Sequence, residues 1–127
     1  PDVPNLLSAA DISLLASQYE GVPRALMESM ALGLPVIATD VPGTRVLICP
    51  GRTGLLVQSG DVAGFSEALY QLITSPHLAR RLSRCGRHLV HRKFNEYAVA
   101  ERVQQIYSHL RWGNKKAALN VQLGIEF

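Results

Sequence analysis

The chain has 127 residues, of which 47% are hydrophobic and 18% charged, and its formal net charge is +3. These values are typical of one globular domain with a buried core. No apolar run reaches the roughly 20 residues that a membrane-spanning helix needs, and the start lacks the features of a secretory signal peptide. The net charge of +3 is too small to indicate nucleic-acid binding by itself, and we expect no nucleic-acid partner.

The sequence contains two cysteines, Cys49 and Cys85, which lie 36 positions apart. Isolated cysteines in a chain of this kind are more typical of reduced thiols than of a disulfide framework, so we predict a cytoplasmic protein. None of the four histidines has a cysteine or carboxylate partner at metal-ligand spacing. We predict neither a metal site nor a cofactor.

Short apolar segments alternate with helical periods along the first half of the chain. A short helix is predicted near the start, with Pro4 in its first turn. Residues 12–16, 36–38 and 54–57 are predicted to be buried strands because each is a short, continuous apolar run. Between the first two strands, residues 23–32 have apolar side chains four positions apart, which predicts a helix that ends at Gly33.

Three further helices are predicted in the second half. Asp61 is expected to cap the first of them, and Ser75 with Pro76 marks the start of the second. The third is predicted at residues 96–110. The apolar face predicted for the first comprises Val62, Phe65, Leu69, Leu72 and Ile73.

Alternating short strands and helices predict an α/β fold, a Rossmann-like parallel sheet with flanking helices. Three strands make a small sheet, so we expect further strands in sequence preceding Pro1. Residues 1–112 are assigned to this partial domain and residues 113–127 to a C-terminal tail. The first strand would then have an unpaired edge, which predicts a homodimer of the chain.

The connection from the first strand to the helix at 23–32 is predicted to bind an anion. In open α/β sheets, ligands bind beyond the carboxyl ends of the strands. The free N–H groups and the dipole of a helix N-terminus attract negative charge at that position. Gly21 lets the backbone approach a ligand closely, and Pro23 is expected to fix the first helical turn.

Two glutamates frame this connection, Glu20 in the loop and Glu28 in the helix. By helical geometry Glu28 projects about 145° away from the apolar stripe of Leu26 and Met30. A carboxylate there can accept hydrogen bonds from the diol of a ribose, and Glu20 can accept bonds from sugar hydroxyls. The alternative is a surface ion pair between Arg24 and Glu28, which are four residues apart. Spacing alone leaves both interpretations open.

The string from Glu20 to Thr39 closely resembles the signature of glycosyltransferase family 4, whose members are retaining enzymes of the GT-B fold. That signature is a pair of glutamates seven residues apart, followed by a Gly-x-Pro-Val strand. The resemblance extends over roughly residues 1–110, because other motifs of the family occur in the same order. These are Asp2-Val3-Pro4, Pro42-Gly43-Thr44 and the segment from Gly51 through Thr53-Gly54-Leu55-Leu56-Val57 to Gly60-Asp61.

The resemblance implies that the chain is the second part of a GT-B C-terminal domain. Glu20 would be the catalytic residue, contacting the donor sugar near its reacting carbon. Glu28 would bind the ribose of a nucleoside-diphosphate sugar, expected to be a UDP-sugar. The backbone N–H groups of Gly21, Val22 and Arg24 would bind the diphosphate without a metal, and the sequence contains no Asp-x-Asp motif.

The acceptor would be a glycan or a lipid-linked molecule, bound by an N-terminal domain outside this sequence. Val46 stands where the family usually has an acidic residue, which suggests a local change in the loop after Thr39. The Arg/Lys pair that neutralises the diphosphate in the family would precede Pro1. The chain alone is therefore expected to be inactive.

The alternative function is a non-catalytic nucleotide-binding or interaction module with a basic helix that binds an anionic surface. Arg80, Arg84, Arg87 and His91 fall on one face of the helix that begins at Pro76. Such a face could contact the inner face of a membrane peripherally. The plainer interpretation is a core-packed helix with a solvated basic face. The opposite, apolar face comprises Leu78, Leu82, Cys85 and Leu89.

Overall fold

The computed structural model describes residues 6–7, 9–95, 100 and 103–105. The chain divides into two compact units, Pro1–His91 and Arg92–Phe127, and the sheet lies in the first. Much of the predicted helix at 96–110 lies outside the described residues, as do Pro4, the domain boundary at residue 112 and the predicted tail. No helix within the described ranges is long and apolar enough to cross a bilayer.

Within the described residues, three strands form a sheet in the order β1-β2-β3, and it is parallel as predicted. They are β1 (Ser13–Leu15), β2 (Val36–Thr39) and β3 (Leu55–Val57). All four residues of β2 are buried, because this strand pairs on both sides and is covered on both faces. The middle strand is therefore the centre of the unit.

The helices that lie entirely within the described residues are α1 (Arg24–Ala31), α2 (Pro42–Arg45), α3 (Val62–Thr74) and α4 (Pro76–Lys93). Asp61 caps α3 as predicted, since its carboxylate accepts a 2.8 Å hydrogen bond from the Gly64 N–H. Gly33 follows α1 with φ of +84°, a conformation that favours glycine. The four-residue helix α2 was not predicted from the sequence.

The two faces of the sheet are covered by different helices. Ile37 and Val57 pack against Ala68 and Leu72 of α3, together with Leu82 of α4. On the other face the hydroxyl groups of Ser13 and Ser29 hydrogen-bond at 2.8 Å and join β1 to α1. Ser29 also donates a 2.8 Å bond to the Ala25 carbonyl oxygen, so this buried hydroxyl has partners on both elements.

The prediction that the first strand is buried is wrong for β1. Its Leu14 is 52% exposed, although its register partner Ile37 is completely buried. The difference follows from position, because β1 lies at the edge of the sheet and the cluster around α3 covers Ile37 but does not include Leu14. Continuous apolar sequence predicts a strand correctly here, but it does not predict how many faces are covered.

The exposed Leu14 supports the prediction that this chain associates with itself through β1. Within the described residues no strand pairs with the outer edge of β1, and unpaired backbone groups beside an apolar side chain favour association. We expect Leu14→Lys to raise the concentration needed for dimer formation about tenfold, equivalent to roughly 1.4 kcal/mol. Light scattering over a hundredfold concentration range measures this.

Val46→Lys is the matched control, because Val46 is also 52% exposed and lies outside the sheet. It should leave the association unchanged. A wild-type chain that stays monomeric over the whole range, or equal effects of the two lysines, would contradict an interface at β1.

Candidate functional site

The connection between β1 and α1 ends in a helix N-terminus whose first N–H groups have no partner among the described residues. Pro23 is the N-cap of α1, with φ of −73° and ψ of 111°, and its carbonyl oxygen accepts the Met27 N–H at 3.2 Å. The N–H groups of Arg24, Ala25 and Leu26 therefore precede the first bond within the helix. No acidic residue lies in the first turn and no side chain caps it. These donors and the helix dipole form a surface suited to an anion.

The five residues predicted from the sequence lie on this loop and this helix. Gly21, Val22, Arg24 and Glu28 are exposed and Glu20 is half-buried. A Cβ atom at Gly21 would meet nothing within 4 Å, so the backbone there faces open space. Each of the five is accessible from outside the unit.

Glu28 lies on the outer side of α1, as predicted, because Leu26 and Met30 are 1% and 0% exposed on the inner side. No ion pair joins Arg24 to Glu28; among the described residues the ion pair is the one between Arg45 and Asp40. The structure thus gives no support to the interpretation of Glu28 as the partner of Arg24 in a surface ion pair. Pro23 occupies the N-cap itself and not the first turn, a difference of one position from the prediction.

The loop rests on residues that the sequence analysis did not identify as functional. The hydroxyl of Thr39, at the end of β2, bonds to the Ser17 carbonyl oxygen and lies 3.4 Å from that of Leu15. Gly43 is buried directly beneath the loop, where a Cβ atom would overlap the carbonyl oxygens of Glu20 and Gly21. The Pro42-Gly43-Thr44 motif marks this segment in the sequence, but its spacing does not indicate which part of the backbone Gly43 contacts.

A polar cluster lies on the same edge of the sheet, formed by residues that follow β2 and β3. Arg45 donates from Nε to Asp40 Oδ1 at 2.6 Å and from Nη2 to Oδ2 at 3.1 Å. Gln58 Nε2 donates to the same Oδ2 at 3.2 Å. The hydrogen bond from Arg45, aided by its charge, holds the pKa of the Asp40 carboxyl below its ordinary value.

The basic face predicted on α4 is present, and it lies at the other edge of the sheet. Ser83 donates its hydroxyl to the Gly33 carbonyl oxygen, and Arg81 donates to that of Gly51 at 3.3 Å. Both acceptors precede strands, so α4 crosses the amino-terminal edge, opposite the loop at 16–23. Exposed on α4 are Arg80, Arg84, Arg87 and His91, whereas Leu82 is buried and Leu78, Cys85 and Leu89 are half-buried.

Two shallow cavities of about 470 and 480 Å³ lie along α4, and neither includes Glu20 or Glu28.

The chain matches the family model described as "Glycosyl transferases group 1" over residues 1–89, and it belongs to that family. EpsD of Bacillus subtilis (strain 168) is 38% identical over 107 residues, which cover 84% of this chain and 28% of EpsD. Sucrose-phosphate synthase of Thermosynechococcus elongatus superposes with a TM-score of 0.75 at 36% identity, covering 83% of this chain and 26% of that one.

A crystal structure of HepE from Anabaena in complex with UDP superposes with a TM-score of 0.80 at 21% identity and shows the same fold. It covers 84% of this chain and 30% of HepE. The chain thus spans less than a third of the length of these proteins. The structural neighbours are GT-B glycosyltransferases, so the predicted α/β fold class is confirmed.

The Asp40–Arg45 pair predicts a pH dependence of folding stability. The folded-state pKa of Asp40 is lowered, so its stabilising contribution is complete above the ordinary value of 3.8 and is lost as the pH falls through the folded-state pKa. Asp40→Asn should therefore lower the midpoint of thermal unfolding at neutral pH, and the difference from wild type should shrink below pH 3.8. Asp11→Asn, at the other edge of the sheet, is the control. A constant difference for Asp40→Asn at all pH values would contradict the assignment.

Proposed function

We propose that the chain is the donor-binding part of a retaining glycosyltransferase that uses a nucleoside-diphosphate sugar, specifically a UDP-sugar. The observation that carries the proposal is the helix N-terminus at Arg24, with free N–H groups and with two accessible glutamates on the same connection. Family 4, the retaining stereochemistry and a glycan or lipid-linked acceptor rest on the sequence resemblance.

In this proposal the N–H groups of Gly21, Val22 and Arg24 bind the diphosphate. Pro23 has no N–H to give, so the ligand is held from both sides of that residue. As the bond to the sugar breaks, negative charge accumulates on the departing diphosphate. Oriented N–H groups and the helix dipole stabilise that charge more than the charge of the bound donor, which is the requirement for catalysis.

The two glutamates divide the remaining recognition between them. Glu28 lies one helical turn beyond Arg24 on the exposed side of α1, and a carboxylate there accepts two hydrogen bonds from the ribose diol. Glu20 lies in the loop before the helix, on the sugar side of the diphosphate. Its carboxylate accepts hydroxyl bonds from the donor sugar next to the reacting carbon.

Family membership supports an enzyme over a non-catalytic module, since the matched family consists of glycosyl transferases. The complex of HepE with UDP supports a nucleoside-diphosphate donor. Cys49 and Cys85 are free thiols in the structure, which supports a cytoplasmic protein. The exposed arginines of α4 support a peripheral contact with the anionic inner face of a membrane.

Replacement of Glu28 tests the donor site directly. We expect calorimetric titration to detect binding of UDP by this chain, and Glu28→Ala to weaken it by about 1–3 kcal/mol because the ribose loses its acceptor. Glu67→Ala is the matched control, an exposed helical glutamate on α3 that should leave the affinity unchanged. Equal affinities for wild type and Glu28→Ala, with both folded, would remove Glu28 from the site. Parallel titrations with GDP, UDP-sugars and GDP-sugars identify the nucleobase that the site prefers.

The resemblance also predicts donor binding without a divalent cation. Titrations with EDTA and with added Mg²⁺ or Mn²⁺ should give the same affinity for UDP within about twofold, because N–H groups and not a metal carry the diphosphate. A clear increase in affinity with either metal would contradict this mode of binding.

A further inference from the structure

The turn that follows β2 contacts the backbone of the loop at 16–23 at one residue. Gly43 is buried in this turn, and a side chain there would collide with the carbonyl oxygens of both Glu20 and Gly21. Its φ is not positive, so the glycine is not needed for its own backbone conformation. The requirement for glycine comes from the space that the loop occupies.

The turn itself is held firmly by buried hydrogen bonds. Thr44 is 0% exposed, and its hydroxyl lies 2.6 Å from the Thr39 carbonyl oxygen and 2.9 Å from that of Val41. The same hydroxyl accepts the Val41 N–H at 3.2 Å. The Asp40 N–H donates to the Val57 carbonyl oxygen at 2.7 Å, which fastens the start of the turn to β3. If a side chain were placed at residue 43, the exposed loop would move before the buried turn.

We infer that Gly43 is a positioning residue for donor binding. Because it has no side chain, the backbone of Glu20 and Gly21 can lie close to the turn, and this fixes their position relative to the start of α1. The inference rests on the proposed function. Glu20 carries the carboxylate for the sugar, and Gly21 carries an N–H for the diphosphate. A shift of this backbone by about 1 Å separates those two groups from the N–H groups of α1, and a misplacement of that size can lower a catalytic rate about a hundredfold.

Thr39 provides a second attachment of the same loop. Its hydroxyl bonds to the Ser17 carbonyl oxygen, three residues before Glu20, and it is 2% exposed. Valine has nearly the same shape without the hydroxyl, and serine retains the hydroxyl without the methyl group. These two replacements therefore separate the hydrogen bond from the packing.

The first experiment compares the amide resonances of Gly43→Ala and Gly21→Ala with those of the wild-type chain. Gly43→Ala should shift the amides of Glu20, Gly21 and Arg24, because the loop has to move away from the new methyl group. Gly21→Ala, whose Cβ meets open space, should shift only its sequence neighbours and leave the amides of the turn unmoved. A folded Gly43→Ala chain with unmoved amides at Glu20 and Gly21 would overturn the inference.

The second experiment measures affinity for UDP by calorimetry. Gly43→Ala should bind UDP at least about tenfold more weakly than wild type, because a displaced Gly21 N–H loses its hydrogen bond to the diphosphate, with the same thermal midpoint or a modestly lower one. Thr39→Val should also lose affinity and Thr39→Ser should retain it, which keeps the inference testable if Gly43→Ala does not fold. Equal affinity of wild type, Gly43→Ala and Thr39→Val would overturn the inference. If the wild-type chain does not bind UDP at all, the proposed function fails, and the amide comparison still decides whether Gly43 sets the loop.

Discussion

The candidate site depends on the burial of β2 and on the hydrogen bonds made where that strand ends. Val36, Ile37 and Ala38 are 0% exposed, so the strand has almost no freedom to move. The next residue, Thr39, is equally enclosed and turns its hydroxyl toward the loop that follows β1. A fully buried strand thereby fixes an exposed connection. Binding groups placed in this way lose little conformational freedom when a ligand arrives.

The structure separates the residues that would touch a ligand from those that hold them. Glu20, Gly21 and Glu28 are accessible, whereas Gly43 and Thr44 beneath them are buried. A replacement of a buried residue would displace a neighbouring segment, because each of the two meets backbone atoms of another segment. Contact with a ligand and positioning of the contacting residues are thus assigned to different segments of the chain.

Local sequence patterns predicted the strands, α1 and the cap at Asp61, because these features depend on residues a few positions apart. These patterns failed to predict burial where it depends on which other elements cover a side chain. Val62 and Ile73 fall on the predicted inner face of α3 but are 81% and 62% exposed, because the cluster around Ile37 involves only the middle of the helix. The helix α2 has four residues and begins with proline and glycine, so it has no apolar period to detect.

The same distinction applies to the site. The exposed orientation of Glu28 follows from helical geometry and was predicted. The hydrogen bond between Asp40 and Gln58 and the contact between Gly43 and Gly21 join residues from different connections. Their partners are set by the order and register of the strands. A resemblance in motifs could point to these segments, but only the fold shows which of their atoms meet.

The placement of α4 has a consequence for the kinetics of ligand capture. Its exposed arginines occupy the amino-terminal edge of the sheet, whereas the candidate donor surface at the carboxyl edge carries Glu20, Glu28 and Asp40. The exposed arginines of α4 would attract an anionic ligand to the edge opposite the candidate site, and Arg24 and Arg45 offset this only in part. In the proposed mode of binding, short-range N–H bonds hold the diphosphate, so the association rate at the loop should depend weakly on ionic strength. Non-specific binding of the ligand to the arginines of α4 should decrease as the salt concentration rises.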